Sequence, residues 1–191
     1  MSQITNVAVV LGSLRRDSVS RKAAHALAGL APAHLNLRIV EIGDLPLYNE
    51  DIEAAGEPES WTRFRQELRQ SDAVLFITPE YNRSVPGALK NAIDVGSRPY
   101  GDSAWSGKPA AIMSLSPGAI GAFGANHHLR QSLVFLDMPL LQQPEAYVGN
   151  AFSLFDEAGE FTSESTKGFF ESFIGTFAGW IERTRAEPVA A

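Results

Sequence analysis

A polar segment near the N-terminus has the residue types of an anion-binding loop. Residues 11–21 contain one glycine, three serines and three arginines, between an apolar run at 7–11 and a helix-like stretch that starts at residue 22. Backbone N–H groups at a helix start, with the helix dipole behind them, favour an anion. Serine hydroxyls and arginine guanidinium groups add donors suited to phosphate. The sequence therefore predicts that this segment holds a phosphate.

Two further segments follow apolar runs in the same way. Pro79-Glu80-Tyr81-Asn82 comes after the run at 73–77, and Ser116-Pro117-Gly118 comes after the run at 110–115. In a parallel sheet all three segments lie at the carboxyl edge of the strands, where ligands bind at a switch in strand order. We expect a ligand with a phosphate at the first segment and a flat polar ring at the other two.

The elements that must position these segments alternate between strand and helix. Strands are predicted at residues 7–11, 35–42, 73–77, 110–115 and near 140–148, where Pro144 interrupts the last one. Helices are predicted from residue 22 and at 59–70, 85–94, 126–136 and 166–183, with Ser84 as an N-cap. The acidic residues 52–59 are expected to be a mobile connection, and 186–191 a loose tail.

This alternation predicts an α/β protein with a parallel sheet covered on both faces. Right-handed crossovers then give a flavodoxin-like three-layer sandwich, a five-stranded parallel sheet in the order 2-1-3-4-5. A length of 191 residues suits a single domain over 1–191.

Composition excludes several classes of protein. The net charge of −6 argues against a nucleic-acid partner, which requires clustered positive charge. The absence of cysteine excludes disulfides, thiolate metal sites and a cysteine nucleophile. No apolar run is long enough to span a membrane, and the N-terminal residues do not resemble a signal peptide, so a cytoplasmic protein is expected.

The three loop segments, with Pro86 to Asp94 after the second, resemble the NADPH-dependent FMN reductase family, and within it bacterial chromate and quinone reductases. The resemblance covers roughly residues 7–148 in the expected order. It implies phosphate contacts from the first loop, flavin-ring contacts from the second, and weaker matches in the third. The cofactor-binding residues implied in this way are Gly12, Ser13, Arg15, Ser18, Ser20, Pro79, Glu80, Tyr81, Asn82, Ser116 and Gly118.

The resemblance also implies a function. Such proteins bind FMN and pass hydride from NADPH or NADH through it to quinones, azo compounds, free flavins or chromate. They form homodimers or homotetramers with the flavin near the subunit interface. The cofactor carries the chemistry, so no catalytic side chain and no metal are expected. The alternatives are a flavodoxin-type FMN electron carrier that acts with protein partners, and a protein that binds a nucleotide or sugar phosphate.

Four other side chains allow two interpretations each. Arg83 and Arg98 flank the helix after the second loop and either attract an anionic substrate or pair with acids across an interface. His127 and His128 are adjacent, which is not the spacing of metal ligands on one helix face. A surface or capping role for the histidines is therefore favoured over a metal site.

Overall fold

The computed structural model describes residues 4–186, which form a five-stranded parallel sheet in the order β2-β1-β3-β4-β5. The elements are β1 (Thr5–Leu11), α1 (Val19–Leu30), β2 (Leu35–Val40), α2 (Glu50–Ala55), α3 (Glu59–Arg69), β3 (Ala73–Thr78), α4 (Gly87–Gly96), β4 (Ala110–Leu115), α5 (Phe123–Phe135), β5 (Ala146–Val148) and α6 (Glu164–Ala186). All four pairings between neighbouring strands are parallel. The predicted fold class and strand order are therefore confirmed.

The sheet has a buried core on each face, which makes three layers. Alternate residues of β1 point to opposite sides, since Val9 packs in the core with α1 and α6 while Val10 packs in the core with α3, α4 and α5. The central strands β3 and β4 are buried along their whole length. This explains why their sequences, except for Thr78 and Ser114, are apolar without alternation.

Residues 52–55 of the segment that was expected to be a mobile connection belong to helix α2, so the prediction is wrong there, whereas residues 56–58 do connect α2 to α3. The helix has no buried residue, so it lacks the apolar stripe that would have indicated it. Polar contacts hold it in place: Asn49 caps its first turn, and Glu53 pairs at 2.6 Å with the buried guanidinium of Arg65. Tyr48 adds a hydrogen bond from its hydroxyl to Glu53.

The helix ends also differ from the prediction. Helix α4 begins at Gly87 after Pro86, so Ser84 is not its N-cap, and α5 begins earlier than predicted, at Phe123. Helix α6 is longer at both ends than predicted. The expected loose tail lies outside the described residues except for Ala186, which ends α6. Within residues 4–186, no helix is both long and apolar enough to cross a membrane.

Candidate active site at the carboxyl edge of the sheet

The three polar loops meet at one cavity of about 180 Å³. They follow β1, β3 and β4, whose parallel pairing brings their carboxyl ends to one edge. Most of the predicted site residues line the cavity: Ser13, Arg15, Ser18, Ser20, Pro79, Glu80, Tyr81 and Ser116. Three of the predicted residues, Gly12, Asn82 and Gly118, do not line it.

The first loop presents unused hydrogen-bond donors at the start of α1. Ser18 caps the helix, because its Oγ accepts the N–H of Arg21 at 3.2 Å. The N–H groups of Val19 and Ser20 have no acceptor within residues 4–186, as expected in the first turn of a helix. The Ser20 hydroxyl also has no partner there, although the residue is only 3% exposed. These donors can bind an anion in the cavity.

Arg15 supplies the positive charge of this loop. Its side chain is exposed, lines the cavity and forms no ion pair with another described residue. Arg21, by contrast, pairs with Glu41 at 2.9 Å. Arg16 is exposed but does not line the cavity. Of the three arginines in the segment, Arg15 is therefore the one placed to neutralise a phosphate.

Gly12 permits the first two loops to pack closely. A Cβ atom on this residue would lie 2.4 Å from Thr78 Oγ1 and 3.0 Å from Pro79 Cδ. Its backbone N–H donates to Ile77 O at 2.9 Å, which holds the loop against the end of β3. Gly12 therefore acts through the spacing of the loops, since it does not line the cavity itself.

The second loop is a tight turn with two residues in the left-handed region. Asn82 and Arg83 have φ values of 51° and 66°. Tyr81 and Ser84 exchange two backbone hydrogen bonds of 3.1 Å across them. Positive φ at both central residues is typical of a type I′ turn, in which asparagine is favoured. The exposed Asn82 lies at the tip of this turn.

The side chain of Glu80 faces the start of α5 rather than bulk solvent. Its Oε2 atom accepts the backbone N–H of Ala125 at 3.0 Å, and its Oε1 lies 3.5 Å from Arg83 Nη1. The Glu80 side chain is 12% exposed, whereas that of Arg83 is 74% exposed. The sequence placed Glu80 at the site, but it gave no signal that the carboxylate contacts a helix.

The third loop is fixed from inside the sheet. The buried Ser114 on β4 donates to Gly121 O at 2.7 Å, and Ser114 Oγ accepts from Asn126 Nδ2 at 3.1 Å. Ser116 donates to Gly118 O at 3.0 Å. Gly118 is exposed, and Pro117 lines the cavity in its place.

A fourth loop that was not predicted completes the cavity. Ala151 and Phe152 follow β5 and line the cavity, and Phe152 is 71% exposed. The N–H of Ala151 donates to Ser116 O at 3.0 Å, which joins this loop to the third. The predicted strand order already places the end of β5 at this edge. The sequence therefore contained a signal for the position of this loop.

The remaining candidates lie outside the cavity. Arg98 stacks on the rings of Tyr48 and Tyr100, 5.6 and 5.9 Å from their centroids. His127 Nε2 lies 2.9 Å from Tyr147 Oη, and His128 Nδ1 lies 2.9 Å from Ser84 Oγ. Both histidines are exposed, so the surface interpretation holds. Residues 4–186 contain no cluster of three or more histidine, aspartate or glutamate side chains arranged to hold a metal.

A family model described as NADPH-dependent FMN reductase matches residues 5–153. The match spans every loop that lines the cavity. The chain belongs to the NADPH-dependent FMN reductase family. FMN is accordingly its cofactor and NAD(P)H its electron donor. The unused N–H groups of Val19 and Ser20, with Arg15 beside them, fit the phosphate that such a cofactor carries.

Named relatives cover nearly the whole chain. A quinone reductase of Pseudomonas putida is 66% identical over 186 residues, which cover 97% of this chain and 100% of that protein. A 2-hydroxy-1,4-benzoquinone reductase of a Burkholderia species is 46% identical and covers 94% of this chain and 97% of its own. The solved structure of FerB from Paracoccus denitrificans, a flavoenzyme NAD(P)H:(acceptor) oxidoreductase, matches with a TM-score of 0.89 at 44% identity. That match covers 95% of this chain and 99% of FerB.

Proposed function

We propose that this FMN reductase family member oxidises NAD(P)H and reduces quinones, with FMN bound in the four-loop cavity. The observation that carries the proposal is the pairing of an anion cradle at α1 with a tight turn after β3, across one cavity. When bound, FMN supplies the redox chemistry, which is hydride uptake from NAD(P)H and transfer of two electrons to the acceptor. The protein binds and orients the reactants.

The hydrogen-bond donors at the cavity indicate which residues would bind each part of FMN. We assign the phosphate to the N–H groups of Val19 and Ser20, the hydroxyl of Ser20 and the guanidinium of Arg15. The second loop, at 79–82, borders the same cavity, and there the N–H group of Glu80 has no acceptor within residues 4–186. A donor at this position would stabilise negative charge that develops on a ring edge.

Quinones are proposed as the acceptor class because two similar proteins carry that substrate in their names. A planar quinone suits the same space as a nicotinamide ring, so donor and acceptor would enter in turn. Azo compounds, free flavins and chromate are further acceptors for an assay panel. Turnover of a quinone by the purified protein alone would exclude the alternative of an electron carrier that requires protein partners.

We further propose that residues 1–191 form one FMN-binding domain, which assembles as a homodimer or homotetramer in the cytoplasm. Exposed apolar side chains support the assembly. Tyr100 is 92% exposed, and Val134 and Phe135 at the end of α5 are 67% and 88% exposed. Tyr100 and Phe135 line one shared surface cavity, and aromatic side chains are enriched at protein–protein interfaces. Light scattering of the FMN-loaded protein gives the mass, and a monomer would contradict the assembly.

The test of function uses purified protein saturated with FMN. We expect oxidation of NADPH or NADH, followed at 340 nm, to depend on added 1,4-benzoquinone. We also expect bound FMN to show a shifted visible spectrum. A preparation that does not bind FMN would refute the proposal, and FMN binding without quinone-dependent turnover would favour the carrier.

A further inference from the structure

Glu80 is a charged side chain in a cavity where the cofactor is itself an anion, and this position requires an explanation. Its carboxylate is largely withdrawn from solvent, at 12% exposure. A buried carboxylate is costly unless it is hydrogen-bonded or paired. The partners of Glu80 lie on α5 and within its own turn, so they show what the side chain does.

The carboxylate occupies the N-terminal end of α5, a helix that has no side-chain cap of its own. Ala122 stands at the N-cap position with φ of 60°, and it has no side-chain oxygen that could accept a hydrogen bond. The first N–H groups of a helix need acceptors, and a negative charge there also interacts well with the helix dipole. Glu80 Oε2 meets this need by accepting the Ala125 N–H at 3.0 Å. The cap thus comes from a residue 45 positions earlier in the chain.

The helix is shaped to receive the loop. A Cβ atom on Gly124 would lie 2.8 Å from Glu80 Oε2 and 2.8 Å from Arg83 O. A second contact lies further along the helix, where His128 Nδ1 is 2.9 Å from Ser84 Oγ. The turn therefore contacts α5 at both of its ends, through Glu80 before the turn and Ser84 after it.

We propose that Glu80 is a positioning residue: its hydrogen bond to Ala125 fixes the turn at residues 81–84 against the flavin site, and its carboxylate does not act on the reacting atoms. The proposal rests on the proposed function, because it assigns the turn to the flavin. It also explains how two left-handed residues, Asn82 and Arg83, are held in one conformation.

The first experiment measures the cap without any flavin. Glu80→Ala removes the acceptor, and Glu80→Gln removes the charge but keeps an oxygen for Ala125. We expect amide hydrogen exchange at Ala125 in the flavin-free protein to be about fivefold faster in Glu80→Ala, as for the loss of one helix cap, and within about twofold of wild type in Glu80→Gln. Unchanged exchange in the alanine variant would overturn the proposal.

The second experiment measures the consequence for the flavin. In Glu80→Ala we expect FMN to bind about fivefold more weakly and kcat to fall about tenfold, with KM for NADPH within about twofold. Glu80→Gln should restore FMN affinity and kcat. Both variants lack the charge, and the glutamine keeps the acceptor for Ala125 that the alanine loses. The midpoint potential of bound FMN should therefore be lower in the alanine variant than in the glutamine variant.

A matched control removes a cap elsewhere. Asn49 Oδ1 accepts the Asp51 N–H at 2.9 Å at the start of α2, and Asn49 does not line the cavity. Asn49→Ala should leave the FMN dissociation constant, the potential and kcat unchanged. Equal potentials in the two Glu80 variants, both displaced from wild type, would show that the charge acts directly on the flavin and would overturn the positioning role. Failure of the wild-type protein to bind FMN would instead refute the proposed function, and this proposal with it.

Discussion

Replacing Gly12 by alanine tests whether the packing of the first loop on the second shapes the flavin site. The added Cβ would lie 2.4 Å from Thr78 Oγ1, well inside van der Waals contact. Thr78 is fully buried, and its hydroxyl donates to Pro79 O at 2.8 Å. Neither neighbour is the end of a flexible side chain, so the loops must move apart.

The size of the effect follows from the crowding. Overpacking a buried contact costs about 1–3 kcal/mol of unfolding free energy. For a protein of this length, each kcal/mol corresponds to about 2–4 °C in Tm, so we expect a fall of about 2–12 °C. Separation of the loops should also displace at least one donor from FMN. The loss of one hydrogen bond weakens binding by about tenfold.

Thermal unfolding of the flavin-free protein and an FMN titration measure both effects. Gly29→Ala is the matched control, because it makes the same chemical change in α1 where a Cβ would meet no atom within 4 Å. It should stabilise the protein by up to about 1 kcal/mol, since glycine is a poor helix former. Thr78→Ala, which removes the closest atom, should be less destabilising in the Gly12→Ala background than alone. Gly12→Ala with wild-type Tm and wild-type FMN affinity would refute the argument that loop spacing matters.

Three further predictions concern single side chains. Arg15→Ala should lose FMN on dialysis while its neighbour control, Arg16→Ala, retains it; equal retention would remove Arg15 from the site. Arg65→Met leaves the carboxylates of Glu53 and Glu57 without their buried partner and should lower the free energy of unfolding in urea by about 3–5 kcal/mol. Arg63→Met removes more exposed ion pairs and should lower the free energy of unfolding by no more than about 1 kcal/mol. Similar losses in Arg65→Met and Arg63→Met would contradict the role of burial. Burial raises the pKa of Tyr147 from its ordinary value of 10.0 to about 12. The native state therefore keeps this proton after the unfolded chain has lost it, and stability should fall from pH 10 to 12. Tyr147→Phe should show a flatter Tm profile over that interval, and an unchanged slope would exclude Tyr147 as its source.

The layers of the fold could be predicted because hydrophobic pattern reports burial directly. The strands β3 and β4 are apolar except for Thr78 and Ser114, and both strands are buried on both faces. Alternation of strand and helix then restricts the strand order to few possibilities. The hydrophobic pattern did not predict α2, because polar contacts of Asn49, Glu53 and Arg65 hold this helix in place of an apolar face. Polar contacts of this kind leave no periodicity in the sequence.

The sequence predicted the location of the site more fully than the contacts between the residues that form it. Three loops at one sheet edge follow from strand order alone, and residues such as Ser20 and Tyr81 do line the cavity. Phe152 was missed because the segment after β5 has one glycine and one serine, Gly149 and Ser153, but none of the arginines that indicate the first loop. Gly118 was expected at the cavity, but it is exposed while Pro117 lines it.

The contacts that fix the second loop show why local pattern is insufficient there. Glu80 contacts Ala125, 45 residues away, and Ser84 contacts His128, 44 residues away. Within its own segment, Glu80 has only the properties of an exposed acid beside a tyrosine, and Gly124 has only those of a glycine before a helix. Each residue type is explained once the two segments are adjacent, because the glycine leaves room for the carboxylate and the carboxylate caps the helix. The positioning role proposed for Glu80 therefore depends on a contact that arises only when the parallel sheet has brought β3 and β4 together.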